Sequence, residues 1–149
     1  MDFQRYSGFW HQIAKPRNFK WDKGCVFATA EYSWNSNTQK LNVKNNCLDS
    51  NKKTIYSRSA EAWNSNSNGD PRKLRILFND GLPADPEGQY WVLDTDYDNY
   101  SIVSDGKDMV WILSRSPKVC KSDFLMLTNK VKSMGYNLDT ILSNASLIL

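Results

Sequence analysis

The chain has 149 residues, 19 Lys plus Arg against 16 Asp plus Glu, and a formal charge of +3. That is one domain's worth of protein, able to bury roughly 70% of the surface its unfolded chain exposes, and its 40% hydrophobic content excludes a disordered chain. The small positive surplus carries no Lys/Arg block, which argues against nucleic acid as a partner, and no apolar run exceeds about five residues, against roughly 18 for a membrane-spanning helix.

Short runs of alternating character, separated by polar turn material, predict eight strands. In chain order they are Phe9 to Ala14, Val26 to Tyr32, Lys40 to Asn46, Ile55 to Trp63, Lys73 to Phe78, Tyr90 to Thr95, Tyr100 to Val103 and Met109 to Ser114. Asn35 to Thr38, Asp49 to Lys53 and the Asn/Ser run from Asn64 to Asp70 read as loops, because their side chains bond their own backbone and supply no core residue. After the last strand, Ser122 as N-cap, Phe124, Leu127, Val131 and Met134 on one face, and Gly135 just past the end predict a helix over about 122–135. Its single apolar stripe needs a partner, and the outer wall of a barrel is the large surface available.

The expected fold is therefore all-β: an eight-stranded antiparallel up-and-down barrel, or calyx, over about 8–116. One C-terminal α-helix packs on its outside, 136–149 follow as a tail, and 1–149 form a single domain. A closed sheet of this size has an interior just wide enough for one small ligand. Parity says which side chains face it. Ala28, Ala30 and Tyr32 share a face, as do Leu41, Val43 and Asn45, and Leu74, Ile76 and Phe78; Tyr90, Val92, Trp111 and Leu113 complete the wall. Small residues opposite aromatics leave a hollow. The candidate ligand contacts are Tyr56, Ile76, Phe78, Tyr90, Val92 and Trp111 as apolar wall, with Asn45 and Arg58 as polar groups.

Little here suggests catalysis or a metal. The one His, His11, three scattered Cys and seven Gly without a phosphate-cradling loop supply no zinc spacing and no nucleotide motif, so neither a metal nor a cofactor is expected.

Three separated motifs, Arg5-Tyr6-Ser7-Gly8-Phe9-Trp10 followed by Ile13-Ala14, Thr95-Asp96-Tyr97-Asp98-Asn99-Tyr100, and Trp111-Ile112-Leu113-Ser114-Arg115-Ser116-Pro117, occur in this order. With them the chain resembles the lipocalins, in the branch of bacterial outer-membrane lipocalins, apolipoprotein D and plant temperature-induced lipocalins. The resemblance runs from about Asp2 to Ile141. It implies a carrier of a fatty acid, lysophospholipid or similar lipid. It also implies scaffold roles: Gly8 for close approach at the closed end, Trp10 as the plug, Arg115 stacked on that indole, and Asp96 with Tyr97 in a tight turn. The implied partner is a small hydrophobic ligand; a peripheral membrane contact, and a monomer or homodimer as the assembly, are separate expectations that turn on whether Trp91 and Leu93 form a contact patch.

Departures from the family pattern are informative. His11 stands where the family usually has Tyr and, opposite in parity to Trp10, should face outward. In the fourth strand Arg58 shares a face with Ala60 and Ala62, which places a guanidinium toward the interior unless a bulge turns it out. A charge there needs solvent, a carboxylate or an anionic ligand. Trp91 and Leu93 have outward parity and are either scattered surface residues or a contact patch.

Cys25 and Cys47 lie near the ends of one hairpin, but strand parity puts them on opposite faces, which favours free thiols; a Cys25 to Cys47 bridge is the alternative if a bulge intervenes. Cys120, before the helix, should be an exposed thiol. Asn99-Tyr100-Ser101 and Asn144-Ala145-Ser146 match glycosylation triplets. A lipid-modifying enzyme is the rival function, with Cys47 as its nucleophile but no acid or His pair to activate it. A scavenging protein acting through its mouth loops is the third. Met1 leads directly into a polar segment; the resemblance implies a secreted, periplasmic or membrane-associated protein if a leader was removed, and otherwise the expectation is a cytoplasmic one.

Overall fold

A computed structural model of the chain describes residues 1–17, 24–65, 69–79 and 88–143. Among the described residues the elements are α1 (Phe3–Tyr6), β1 (Gly8–Pro16), β2 (Phe27–Asn35), β3 (Lys40–Leu48), β4 (Thr54–Trp63), β5 (Lys73–Phe78), β6 (Gln89–Thr95), β7 (Tyr100–Ser104), β8 (Val110–Ser114), α2 (Lys121–Ser133) and β9 (Ile141–Ser143), with a 3₁₀ turn at Leu138–Thr140. All eight expected strands are present, and β5 agrees end for end. Residues 66–68 of the Asn/Ser run and the triplet Asn144-Ala145-Ser146 lie outside the described residues.

Each strand pairs antiparallel with the next from β2 to β8, and β1 closes the ring by pairing with both β2 and β8. The closing strand bulges between Gln12 and Ala14 where it meets β8. This reverses its inward parity: Trp10 belongs to the interior cluster, whereas Ile13 and Ala14 belong to the cluster under the helix. The upper end of β1 then pairs with β9, Pro16 opposite Ile141, an addition that a three-residue strand gives no periodicity to foresee.

Two cores result. The interior cluster joins Tyr6, Trp10, Tyr32, Leu41, Val43, Leu74, Val92 and Leu113. The outer one joins Ile102, Val110 and Ile112 of the barrel to Leu127 and Val131 of α2. Lys130 Nζ reaches the Asp94 carboxylate at 3.2 Å, Tyr100 donates to the same carboxylate at 2.8 Å, and Tyr136 donates to Ser104 at 3.1 Å, so the helix is fastened by polar as well as apolar contacts.

Several details of the helix and the outer face differ from the sequence reading. Cys120, not Ser122, occupies the N-cap position, with no side-chain capping bond; the Ser122 hydroxyl lies 3.2 Å from the Cys120 sulfur. Met134 is the C-cap and 39% exposed, outside the apolar stripe that Leu127 and Val131 bury. Gly135, at φ +96, holds the left-handed position that follows. Leu93 is not on a free surface: it packs against the outer core. Trp91 lies beside Gly106, where an added Cβ would come within 3.0 Å of the indole, and Lys73 covers its ring at 4.5 Å.

The cysteines correct the favoured reading. Cys25 and Cys47 form a disulfide, with Cα atoms 5.2 Å apart, and Cys120 is free and exposed. Parity misled because Cys25 precedes β2: the chain bends at Val26 before the first strand residue, Phe27, so strand alternation does not extend back to the sulfur.

Candidate functional site

In antiparallel pairs, residues directly opposite share a face, so the register traces the inner wall rung by rung. Tyr32, Val43, Ala60 and Phe78 form one rung; Ala30, Asn45 and Arg58 the next; Ala28, Cys47 and Tyr56 the one nearest the mouth. On the far side Leu74 faces Tyr90, and Val92, Val103 and Trp111 align. Val92 and Ile76 are buried, whereas Phe78, Tyr90, Trp111, Asn45 and Arg58 all face inward yet are only partly buried. Gln12, opposite Leu113, adds an amide to the same face.

The mouth is marked by the disulfide. Tyr56 sits at the rim, 37% exposed, with its hydroxyl 3.5 Å from the Cys25 sulfur. One inward position deeper, the Arg58 guanidinium lies 4.1 Å from the centre of the Phe78 ring. Stacking on an aromatic face lets the charge stay partly desolvated within an apolar wall. With Cys47 bridged, the thiol that the enzymatic alternative would use is not available, so that nucleophile is withdrawn.

The floor is a chain of hydroxyls. Ser101 and Tyr6 lie 2.7 Å apart, Tyr6 and Tyr90 2.7 Å, and Tyr90 donates to Tyr32 at 2.7 Å. Burial pushes the Tyr6 phenol up to about 12 and raises Tyr32 and Tyr90 well above their ordinary value, so all three stay neutral. Parity identifies Tyr32 and Tyr90 as inward residues but gives no sign that Tyr6, from a one-turn helix, and Ser101, from β7, join them.

Beneath the floor the closed end is clamped. Arg115 lies 3.8 Å from the centre of the Trp10 ring and donates to the carbonyls of Arg5, Tyr6, Ser7, Phe9 and Tyr97. Gly8, at φ +110, would put a Cβ 3.1 Å from that guanidinium, which is why no side chain fits. Trp10 donates its indole N–H to the Tyr6 carbonyl at 2.9 Å. Asp96 accepts from the backbone N–H groups of Asn99 and Tyr100 and from the Asn99 amide. Burial raises its carboxyl, but these bonds outweigh it and hold the group below its ordinary value. Tyr97 takes a left-handed backbone, φ +67, and its hydroxyl accepts from the Asp2 N–H at 2.9 Å, tying α1 to the β6–β7 turn.

His11 lies on the outer face, its ring edge-on to Phe9 with centroids 4.9 Å apart. Among the described residues no group of three or more His, Cys, Asp and Glu could hold a metal ion, and no helix is long and apolar enough to cross a membrane.

A family model described as a lipocalin-like domain matches residues 1–146. A lipocalin of Acanthamoeba polyphaga mimivirus is 32% identical over 147 residues, covering 97% of this chain and 84% of that protein. Apolipoprotein D of Mus musculus is 32% identical over 148 residues, covering 93% of this chain and 73% of the relative. Among solved structures, lobster apocrustacyanin A1 superposes with a TM-score of 0.70 over 95% of this chain and 78% of that one, at 20% identity, a likeness of fold.

Proposed function

The chain belongs to the lipocalin family, whose members generally bind and transport small hydrophobic molecules, and from that premise we propose that this calyx carries a fatty acid, a lysophospholipid or a similar lipid with an anionic head. The observation that carries the reading is Arg58: a guanidinium on the inner face, one position below the rim, above an apolar wall. A carboxylate or phosphate at that height leaves an acyl chain directed downward past Phe78, Ile76, Val92 and Trp111. Asn45, opposite Arg58, is the second polar contact.

The mechanism is burial, with no bond made or broken. At about 25 cal/mol per Å², enclosing roughly 200 to 300 Å² of acyl surface gives about 5 to 7 kcal/mol before ordering costs, a Kd of roughly 10 to 200 μM, and the charge-assisted contact with Arg58 adds what reversible micromolar binding needs. The whole chain, 1–149, acts as one domain in this reading. Organic extraction of the purified protein followed by mass spectrometry tests it, together with fatty-acid titration followed by quenching of tryptophan fluorescence. A co-purifying lipid, or saturable micromolar quenching, is the expected result; no lipid and no saturable binding would reject it.

A further inference from the structure

Each phenol or alcohol in the floor carries one proton, so the direction of the chain can be worked out. Tyr90 donates to Tyr32, which spends the Tyr90 proton. The Tyr6 to Tyr90 bond must then be donated by Tyr6, and the Ser101 to Tyr6 bond by Ser101. With Tyr90 donating to Tyr32 the chain runs Ser101 to Tyr6 to Tyr90 to Tyr32, four protons serving three bonds, and the Tyr32 proton is left over. Tyr32 is only 5% exposed. It stands on β2 and Tyr90 on β6, staves on opposite sides of an eight-membered ring, so hydroxyls 2.7 Å apart meet near the barrel axis. The side chains alongside and above on the neighbouring rungs are small, Ala30 and Ala60.

We propose that the unspent Tyr32 hydroxyl is a specificity-determining donor at the bottom of the calyx, selecting lipids that carry a neutral oxygen acceptor, a ketone or ester carbonyl, at the end that enters first. This deepens the lipid-carrier reading and rests on it. A methyl terminus leaves a buried donor without an acceptor, whereas a carbonyl supplies one. A carboxylate is a poor occupant of the same place, since one neutral donor cannot replace its hydration. The preferred cargo is therefore two-ended: anionic at the Arg58 level, carbonyl-bearing at the floor.

The test is a length series of unsubstituted fatty acids against the same acids ending in a methyl ketone, each titrated by tryptophan quenching. The ketones should bind about tenfold more tightly, and only near the one length that brings the oxygen to the floor. The carbonyl stretch of the bound ketone should shift to lower frequency. In the double variant Tyr32→Phe, Tyr90→Phe the spare proton passes to Tyr6, fully buried against the ring of residue 32, and the advantage should vanish. Equal affinities at every length, or an advantage that survives in the double variant, would overturn the proposal while leaving lipid carriage intact. Failure of every acid to bind would overturn both. Should the variant not fold, the wild-type length profile decides alone.

Discussion

The guanidinium of Arg115 is stacked on the indole of Trp10 and at the same time donates to five backbone carbonyls from α1, β1 and the β6–β7 turn. One side chain thus joins the first strand, the helix before it and a turn most of the chain away. Lys has one charged nitrogen where Arg has a planar fork, so it cannot reproduce both the stack and the bonds. Arg115→Lys should lower stability by about 2 kcal/mol and Arg115→Met by about 3 to 4 kcal/mol, read from urea denaturation. A Lys variant as stable as wild type would show that charge alone suffices.

Cys25 and Cys47 are separated by 22 positions in sequence. A loop of that size predicts a loss of about 3 kcal/mol when the bridge is removed as Cys25→Ser, Cys47→Ser. Thiol titration of the denatured protein should find one reactive group, Cys120, without reductant and three after reduction. Three thiols without reductant would return the matter to the reading that parity favours.

Arg58→Leu keeps the wall apolar and removes the charge beside Phe78. Affinity for a fatty acid should fall by about tenfold or more, and affinity for the matching neutral alcohol should stay within about twofold. Equal losses for both would mean that Arg58 shapes the wall without reading the head group.

Burial, followed by the charge of Lys52, holds the His11 imidazole below its ordinary value of 6.5. The unfolded chain therefore takes up a proton first as pH falls, and the folded protein loses stability from about 6.5 downward until the folded imidazole protonates as well. His11→Gln should flatten that part of the profile. Thermal melts of both proteins across mildly acidic pH should show the wild type losing more; identical slopes would remove His11 from the account.

The barrel was legible because its strands alternate so regularly. β5 runs from Lys73 to Phe78 as the pattern reads, and the flanking Asn and Asp residues do bond their own loops: Asn35 accepts from the N–H groups of Asn37 and Thr38, and Asp49 from those of Asn51 and Lys53. What escaped was whatever alternation does not encode. α1 is one turn long, too short for a period, and is held by Asp2 accepting from the Arg5 N–H and by Phe3 stacking on Trp34 at 5.0 Å. The bulge at Ile13 changes parity inside a strand that otherwise reads as continuous. Parity separates inside from outside but says nothing of depth. Tyr56 and Tyr90 therefore look equivalent in sequence, whereas one is at the rim and the other in the floor.

The pairing of β1 with β8 has a consequence for how the chain becomes a vessel. His11 meets Ser114, so the stave made first during synthesis must wait for the one made last, whereas every other junction in the ring joins close neighbours. Hairpin by hairpin, β2 to β8 can grow as an open ribbon, and the hoop is shut only when the two ends find each other, the slow, long-range event of the assembly. Substitutions along that seam, such as Ile112→Val opposite Ala14, should slow refolding measurably in stopped-flow experiments, since they weaken contacts made in the closing step itself; an unchanged refolding rate would place the slow step elsewhere.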